Sequence, residues 1–269
     1  MPELSRIAVY PIKALDPVSL DRVSITDVGG LTGDRVYAIV DENRDYVHGK
    51  RTADVHRLNT EFDLDMTRLR LRVRGDDRVD EFDLDRDREA LEAWFSDYFG
   101  TRVELEAGPG GSRTDSAVYT DEAEAGPTLI SAATIREVAS WYDGIDPEEM
   151  CLRLRPNLVV EGVPPFWEDG LIAEGGCGFR IGGVTLEGVM SVPRCVVPTR
   201  DPYTGEVYER FRETFLEKRE ETLPEWADRE AFDGNLFSLM AVARIPEADR
   251  GSELSVGDSI QLIDAAVEE

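Results

Sequence analysis

Lysine, histidine and cysteine are all scarce in this chain. Its 269 residues include three lysines (Lys13, Lys50, Lys218), two histidines (His48, His56) and three cysteines (Cys151, Cys177, Cys195). Two histidines are too few for a metal site built on imidazoles. An odd cysteine count with no CxxC spacing argues against a disulfide framework and a zinc ribbon. No apolar run approaches a membrane span, and the N-terminus lacks a basic-then-apolar leader. A soluble, cytoplasmic protein is expected. No internal repeat and no flavin, haem or iron–sulfur motif is evident.

Positive charge is in deficit overall. Thirty basic residues stand against 56 acidic ones, a net charge of −26. Such a surface repels nucleic-acid phosphates and anionic membranes, so neither is an expected partner. The acidic residues are spread along the chain, and all but three of the 30 basic residues are arginine. A hydrated acidic shell that needs screening cations fits adaptation to high salt; an ordinary acidic protein is the alternative. Hydrophobic content of 41% is that of a globular chain with an ample core.

The pattern is mainly β with a few helices, an α+β class. Strands are expected over Leu4–Tyr10, Val18–Ile25 and Val36–Val40, with a glycine-rich turn, Gly29–Arg35, before the third. A hairpin turn at Asp41–Arg44 returns the chain through Tyr46 and Val47. Alternation at Phe62, Leu64, Met66 and again at Leu69, Leu71, Val73 predicts two half-buried antiparallel strands, with Arg68, Arg70, Arg72 and Arg74 on a solvated face. Leu91, Trp94, Phe95 and Tyr98 recur at helical spacing between a capping Asp87 and Gly100. The run Ala107–Ser112 breaks all periodicity and divides the chain into 1–110 and 113–269. A second helix is expected over Ser131–Tyr142, with Ser131 as N-cap; a capped helix start can also hold an anion. Leu158–Val160, Gly178–Ile181, Val184–Val192 and Ser259–Ile263 read as further strands. Short strands with glycine and proline turns point to two β-barrel-like units rather than a βαβ sheet.

Arg194-Cys195 is the stretch with the most chemistry. The β run ends at Pro193, and a cation and a thiol then share a short loop bounded by Pro193 and Pro198. A neighbouring guanidinium favours thiolate, the form that binds metal, although a buried structural thiol has the same local appearance. Lys13, Arg35, Arg51 and Arg155 sit at strand ends or tight turns. Each can be an ordinary ion-pair partner. Together they suit an anionic ligand, with Asn157 adding a donor and an acceptor.

Tyr10-Pro-Ile-Lys13, Gly30-Leu-Thr-Gly-Asp-Arg35, Arg155-Pro-Asn157, Pro165–Asp169, Arg194-Cys195 with Asp201–Gly205, and Val256-Gly-Asp258 occur in the order seen in MOSC-domain proteins. From about residue 4 to about 265 the chain resembles the two-part form of that family, an N-terminal β-barrel followed by the MOSC domain. The resemblance implies a molybdenum cofactor (molybdopterin) held between two barrels, with Cys195 as molybdenum ligand and catalytic residue. It implies cofactor binding by Lys13, Arg35, Arg155, Asn157 and Ser131. It further implies an oxidoreductase that reduces small N-hydroxylated substrates with electrons from a separate donor protein. A cofactor carrier or sulfur-transfer module using a Cys195 persulfide is the alternative. Asp201 reads as loop-shaping first. Ala14 departs from the family's usual serine, and residues 209–229 have no clear counterpart.

Overall fold

The structure, a computed structural model, describes residues 1–108, 126–172, 178–223, 227, 229–232 and 234–263. Cys177 and most of the expected divide between the two halves lie outside them. Among the described residues there are fifteen strands and four α-helices. The strands are β1 (Glu3–Val9), β2 (Val18–Leu20), β3 (Arg22–Ser24), β4 (Tyr37–Asp41), β5 (Leu58–Phe62), β6 (Arg68–Val73), β7 (Asp80–Asp83) and β8 (Val103–Ala107). They continue as β9 (Thr128–Ser131), β10 (Leu158–Glu161), β11 (Gly178–Ile181), β12 (Val184–Pro193), β13 (Ser238–Arg244), β14 (Glu253–Ser255) and β15 (Ile260–Leu262). The helices are α1 (Arg88–Phe99), α2 (Ala132–Ala139), α3 (Pro147–Leu154) and α4 (Phe211–Thr222).

One eight-stranded sheet runs β15-β11-β12-β13-β9-β10-β1-β2. The first two strands of the chain therefore lie in the same sheet as strands from its second half. Its edges are β15 and β2, and an isolated bridge, Glu3 to Ser259, ties the start of β1 to the turn before β15. The β-dominated α+β expectation is met; a closed barrel is not seen among the described residues. Smaller sheets pair β14 with β3, β4 with β8, and β5-β6-β7.

Three main cores result. Leu4, Ile7 and Val9 pack with Leu129, Phe179 and Leu254. Ile12, Ile39, Leu69, Leu91 and Phe95 form a second core, under α1. Ile135, Met150, Phe211, Phe215 and Leu239 form a third, around α2, α3 and α4. No described helix is long and apolar enough to cross a membrane.

Local chemistry explains where the sequence reading is displaced. The Val18–Ile25 run splits at Asp21, since β2 joins β1 while β3 joins β14. The alternation at Phe62, Leu64 and Met66 runs through a turn. Asp63 accepts hydrogen bonds from the Thr67 and Arg68 N–H groups at 2.7 and 3.0 Å, and its other oxygen accepts from the Thr67 hydroxyl. Leu64 is accordingly exposed and the strand proper, β5, lies earlier. α3 begins with Asp146, whose carboxylate accepts the Glu149 N–H at 2.8 Å, followed by proline at the first helical position. It ends where Arg155 takes a left-handed backbone (φ 58°, ψ 50°) ahead of Pro156.

Candidate functional site

α3 builds much of the site. Its buried Arg153 pairs with Glu149 at 2.7 Å and donates to the carbonyls of Pro198 (3.0 Å) and Arg200 (2.6 Å). One arginine thus pins the turn that follows Cys195. The next turn of chain puts Arg155 over the face of Tyr10, 4.1 Å from the ring centre, and Arg35 stacks on the same residue at 4.9 Å. The Tyr10 hydroxyl donates to the Pro156 carbonyl at 3.1 Å, and burial pushes its pKa up to about 12 against the pull of Arg155 and Arg35. Burial likewise lowers the Arg155 guanidinium below its ordinary value, opposed by Tyr10.

Behind Arg35, Asp34 pairs with the guanidinium and accepts the Tyr10 N–H at 2.8 Å. Asn157 sits beside them, buried, with its amide oxygen and nitrogen both in hydrogen bonds. Its oxygen accepts from Arg35 (3.3 Å) and from the Thr128 N–H and hydroxyl, and its nitrogen donates to the Ala8 carbonyl. Asn157 is thus placed to hold Arg35 and to join β10, β9 and β1 rather than to meet a ligand edge.

A cavity of about 190 Å³ opens between the α1 core and the α3 core, and Lys13, Arg35, Arg155 and Cys195 all line it. Its lining holds eight lysines and arginines but one carboxylate, Asp16. In a chain of net charge −26 that is a local inversion of sign. Cys195 is half-buried, and its sulfur accepts the Val197 N–H at 3.4 Å. The Arg194 guanidinium reaches the Leu154 carbonyl at 3.0 Å, so the pair named in sequence is tied directly to the end of α3.

Backbone strain collects here. Eight non-glycine residues among those described have positive φ, and four of them (Ala14, Arg35, Arg155, Met240) line this cavity. Such conformations cost about 1–3 kcal/mol each and persist where surrounding structure enforces them. Met240 marks an irregularity in β13. The β12–β13 register slips between Ser191 and Pro193, just before Cys195.

Two expected residues lie elsewhere. Ser131 caps α2 as read, accepting the Thr134 N–H at 2.9 Å, but it is fully buried away from the cavity. The group that meets that helix start is a carboxyl side chain of the protein itself. Glu168 accepts from the Ser131 N–H at 3.3 Å and the Thr134 hydroxyl at 3.0 Å. Arg51 turns outward to Asp45 at 2.6 Å, and its neighbour Lys50 lines the cavity instead. Asp201 shapes its loop, accepting the Tyr203 and Thr204 N–H groups at 2.9 and 2.8 Å. Sequence reasoning missed His48, His56, Arg74, Arg153 and Arg200 as cavity residues. Only Arg74 carried a signal, as the last arginine of an alternating set. It pairs with Asp16 at 2.8 Å and stacks on Tyr203.

Residues 1–102 match the MOSC N-terminal beta barrel domain, and residues 126–261 match the MOSC domain, which alone spans half of the chain. The chain belongs to the MOSC-domain family. Among curated proteins this MOSC chain is similar to mitochondrial amidoxime reducing component 2 of Bos taurus, 25% identical over 239 residues, covering 75% of this chain and 67% of the relative. The counterpart from Rattus norvegicus is 27% identical over 237 residues, covering 75% and 68%. MOSC domains are associated with molybdenum-cofactor binding, and this cavity has the donor types such a group needs. Among the described residues no group of three or more histidine, cysteine or acidic side chains is placed to hold a metal ion. A metal at Cys195 would thus receive one soft protein ligand there and bring the others with it, as a metal held in an organic cofactor does.

Proposed function

We propose that this protein is a molybdenum-cofactor oxidoreductase that reduces small N-hydroxylated compounds, with Cys195 as metal ligand and catalytic residue. The observation that carries the reading is the meeting of the half-buried Cys195 thiol with Lys13, Arg35 and Arg155 in one cationic cavity. The two relatives named as amidoxime reducing components supply the reaction class. When bound, the cofactor supplies a two-electron redox centre.

The chain's own groups bind and orient. Lys13, Arg35 and Arg155 receive the anionic parts of the cofactor; Asn157 and Asp34 fix Arg35; and Arg153 fixes the turn that presents Cys195. Reduction of R–NHOH takes two electrons and two protons, breaks the N–O bond and releases R–NH2 and water. The electrons come from a separate electron-donor protein. The cofactor would be held in the cavity between the α1 core and the α3 core, with the two units of the chain proposed to divide near residues 110–113.

The test is reduction of benzamidoxime by the purified, cofactor-loaded protein with an artificial one-electron donor. Molybdenum-dependent formation of benzamidine supports the reading. A persulfide on Cys195 with no bound pterin, found by intact mass, would replace it with sulfur transfer.

A further inference from the structure

Most cations of the cavity wall have internal partners that account for them. Arg74 is engaged by Asp16 and Tyr203, Arg153 by Glu149 and two carbonyls, and Arg35 by Asp34 and Asn157. Two side chains are different. His56 sits on a single-turn 3-10 helix, Ala53–Arg57, and its Nε2 is buried with no hydrogen-bond partner. Arg200 donates from Nη1 to the Gly205 carbonyl at 3.0 Å, while its Nε is buried with no partner. A buried polar atom left unsatisfied costs about 1–3 kcal/mol. Of the other buried atoms of this kind, those on Glu168 and Arg219 belong to a closed core and Ser191 does not line the cavity, while Arg194, whose guanidinium is held by the Leu154 carbonyl, lines it together with His56 and Arg200.

The ring of His56 is fitted to its place. A Cβ at Gly49 would stand 2.5 Å from Nε2 and 2.9 Å from Cε1, so only glycine leaves room for the imidazole edge. The charged groups that bear on His56 come from two segments: Arg155 after α3, and Arg200 and Asp201 in the Cys195 loop. Burial, followed by Arg155 and Arg200, pushes its pKa down to about 4, with the Gly49 backbone and Asp201 opposing. A neutral imidazole that shares a cavity wall with two guanidiniums is an arrangement that an anion would complete. It would accept from Arg200 Nε and from a protonated His56, and screen Arg200 from Arg155.

We propose that His56 and Arg200 form an oxyanion subsite of this cavity, distinct from the Lys13, Arg35 and Arg155 set, that takes a carboxylate or phosphate carried by the substrate. The substrate assignment rests on the function proposed above, and narrows its class to N-hydroxylated compounds bearing an acidic group.

The chain's two histidines give two imidazole Cε1–H resonances, and His56→Gln assigns them. The test is a pH titration of these signals in the full-length protein, with and without millimolar inorganic phosphate, in cofactor-free and cofactor-loaded forms. Phosphate is expected to raise the His56 titration by about one pH unit in both forms, because an adjacent anion favours the charged imidazolium. Arg200→Gln removes that rise, and Arg200→Lys, which keeps the charge, restores part of it. No rise with phosphate, or a rise undiminished in Arg200→Gln, overturns the subsite. A rise confined to the cofactor-free form assigns it to the cofactor's own phosphate and overturns the substrate assignment. The cofactor-free arm needs no molybdenum, so it stays readable if the proposed function fails.

Discussion

Arginine is drawn out of water in two regions of this molecule, on opposite terms. In α4, Arg219 is fully buried, paired with Asp169 and packed over the rings of Phe166 (4.4 Å) and Phe232 (5.2 Å). Glu168 lies beside this pair, within the same closed interior. At the cavity, Arg155 and Arg200 are held by carbonyls and a tyrosine face, and among the described residues neither forms an ion pair. A charge answered inside the protein holds the scaffold; a charge answered only by neutral groups at a cavity wall is prepared for a ligand. The thiols divide in the same way. Burial pushes the Cys151 thiol up in the α3 core, partly offset by Arg6 at 3.5 Å. Cys195 instead lines the cavity.

The largest effect should separate the two thiols. Cys195→Ser is expected to abolish N-hydroxy reduction with folding intact, while Cys151→Ser keeps most of the activity. Equal losses in steady-state assays would erase the distinction. Next, Arg219→Leu leaves Asp169 buried without its counter-charge and should destabilise the fold by about 3–5 kcal/mol in urea melts. A loss below about 1 kcal/mol would show that the cluster is not the scaffold described.

Glu168 sharpens the comparison through pH. Burial, then the Asp169 charge, pushes its carboxyl from 4.5 up to about 8. A carboxyl raised on folding contributes stability that is complete below pH 4.5 and is lost as pH rises through about 8. Glu168→Gln, which cannot ionise, should therefore gain on the wild type across that window, and parallel stability profiles would contradict this. The smallest effect concerns Ser131. Ser131→Ala should cost about 1 kcal/mol as a lost N-cap and leave bound molybdenum unchanged. Loss of metal in that variant would return Ser131 to the site.

The parts of the site visible in the sequence are those encoded locally. Lys13, Arg35 and Arg155 stand at turns that glycine and proline punctuate, and Cys195 follows the proline that ends β12. The Ser131 cap was legible too, but whether a helix start faces a cavity or a buried Glu168 depends on a residue 37 positions away. α3 went unread: Asp146-Pro147-Glu148-Glu149 is a helix start, yet the apolar stripe of Met150, Cys151 and Leu154 behind it is too short for periodicity to reveal. β13 was hidden differently, since burial on both faces removes the alternation that marks a strand. His56 and Arg200 reach one cavity only through tertiary structure, and the fit at Gly49 is the physical trace of where His56 is placed.

The central claim is that this cavity holds a molybdenum cofactor through Cys195. Metal analysis of the full-length protein, expressed in a cofactor-competent host and purified in high salt, tests it most directly. The account predicts about one molybdenum per chain, as expected for a single thiolate-ligated site, and its loss in folded Cys195→Ser. Metal-free wild-type protein, or undiminished molybdenum in the variant, would contradict it.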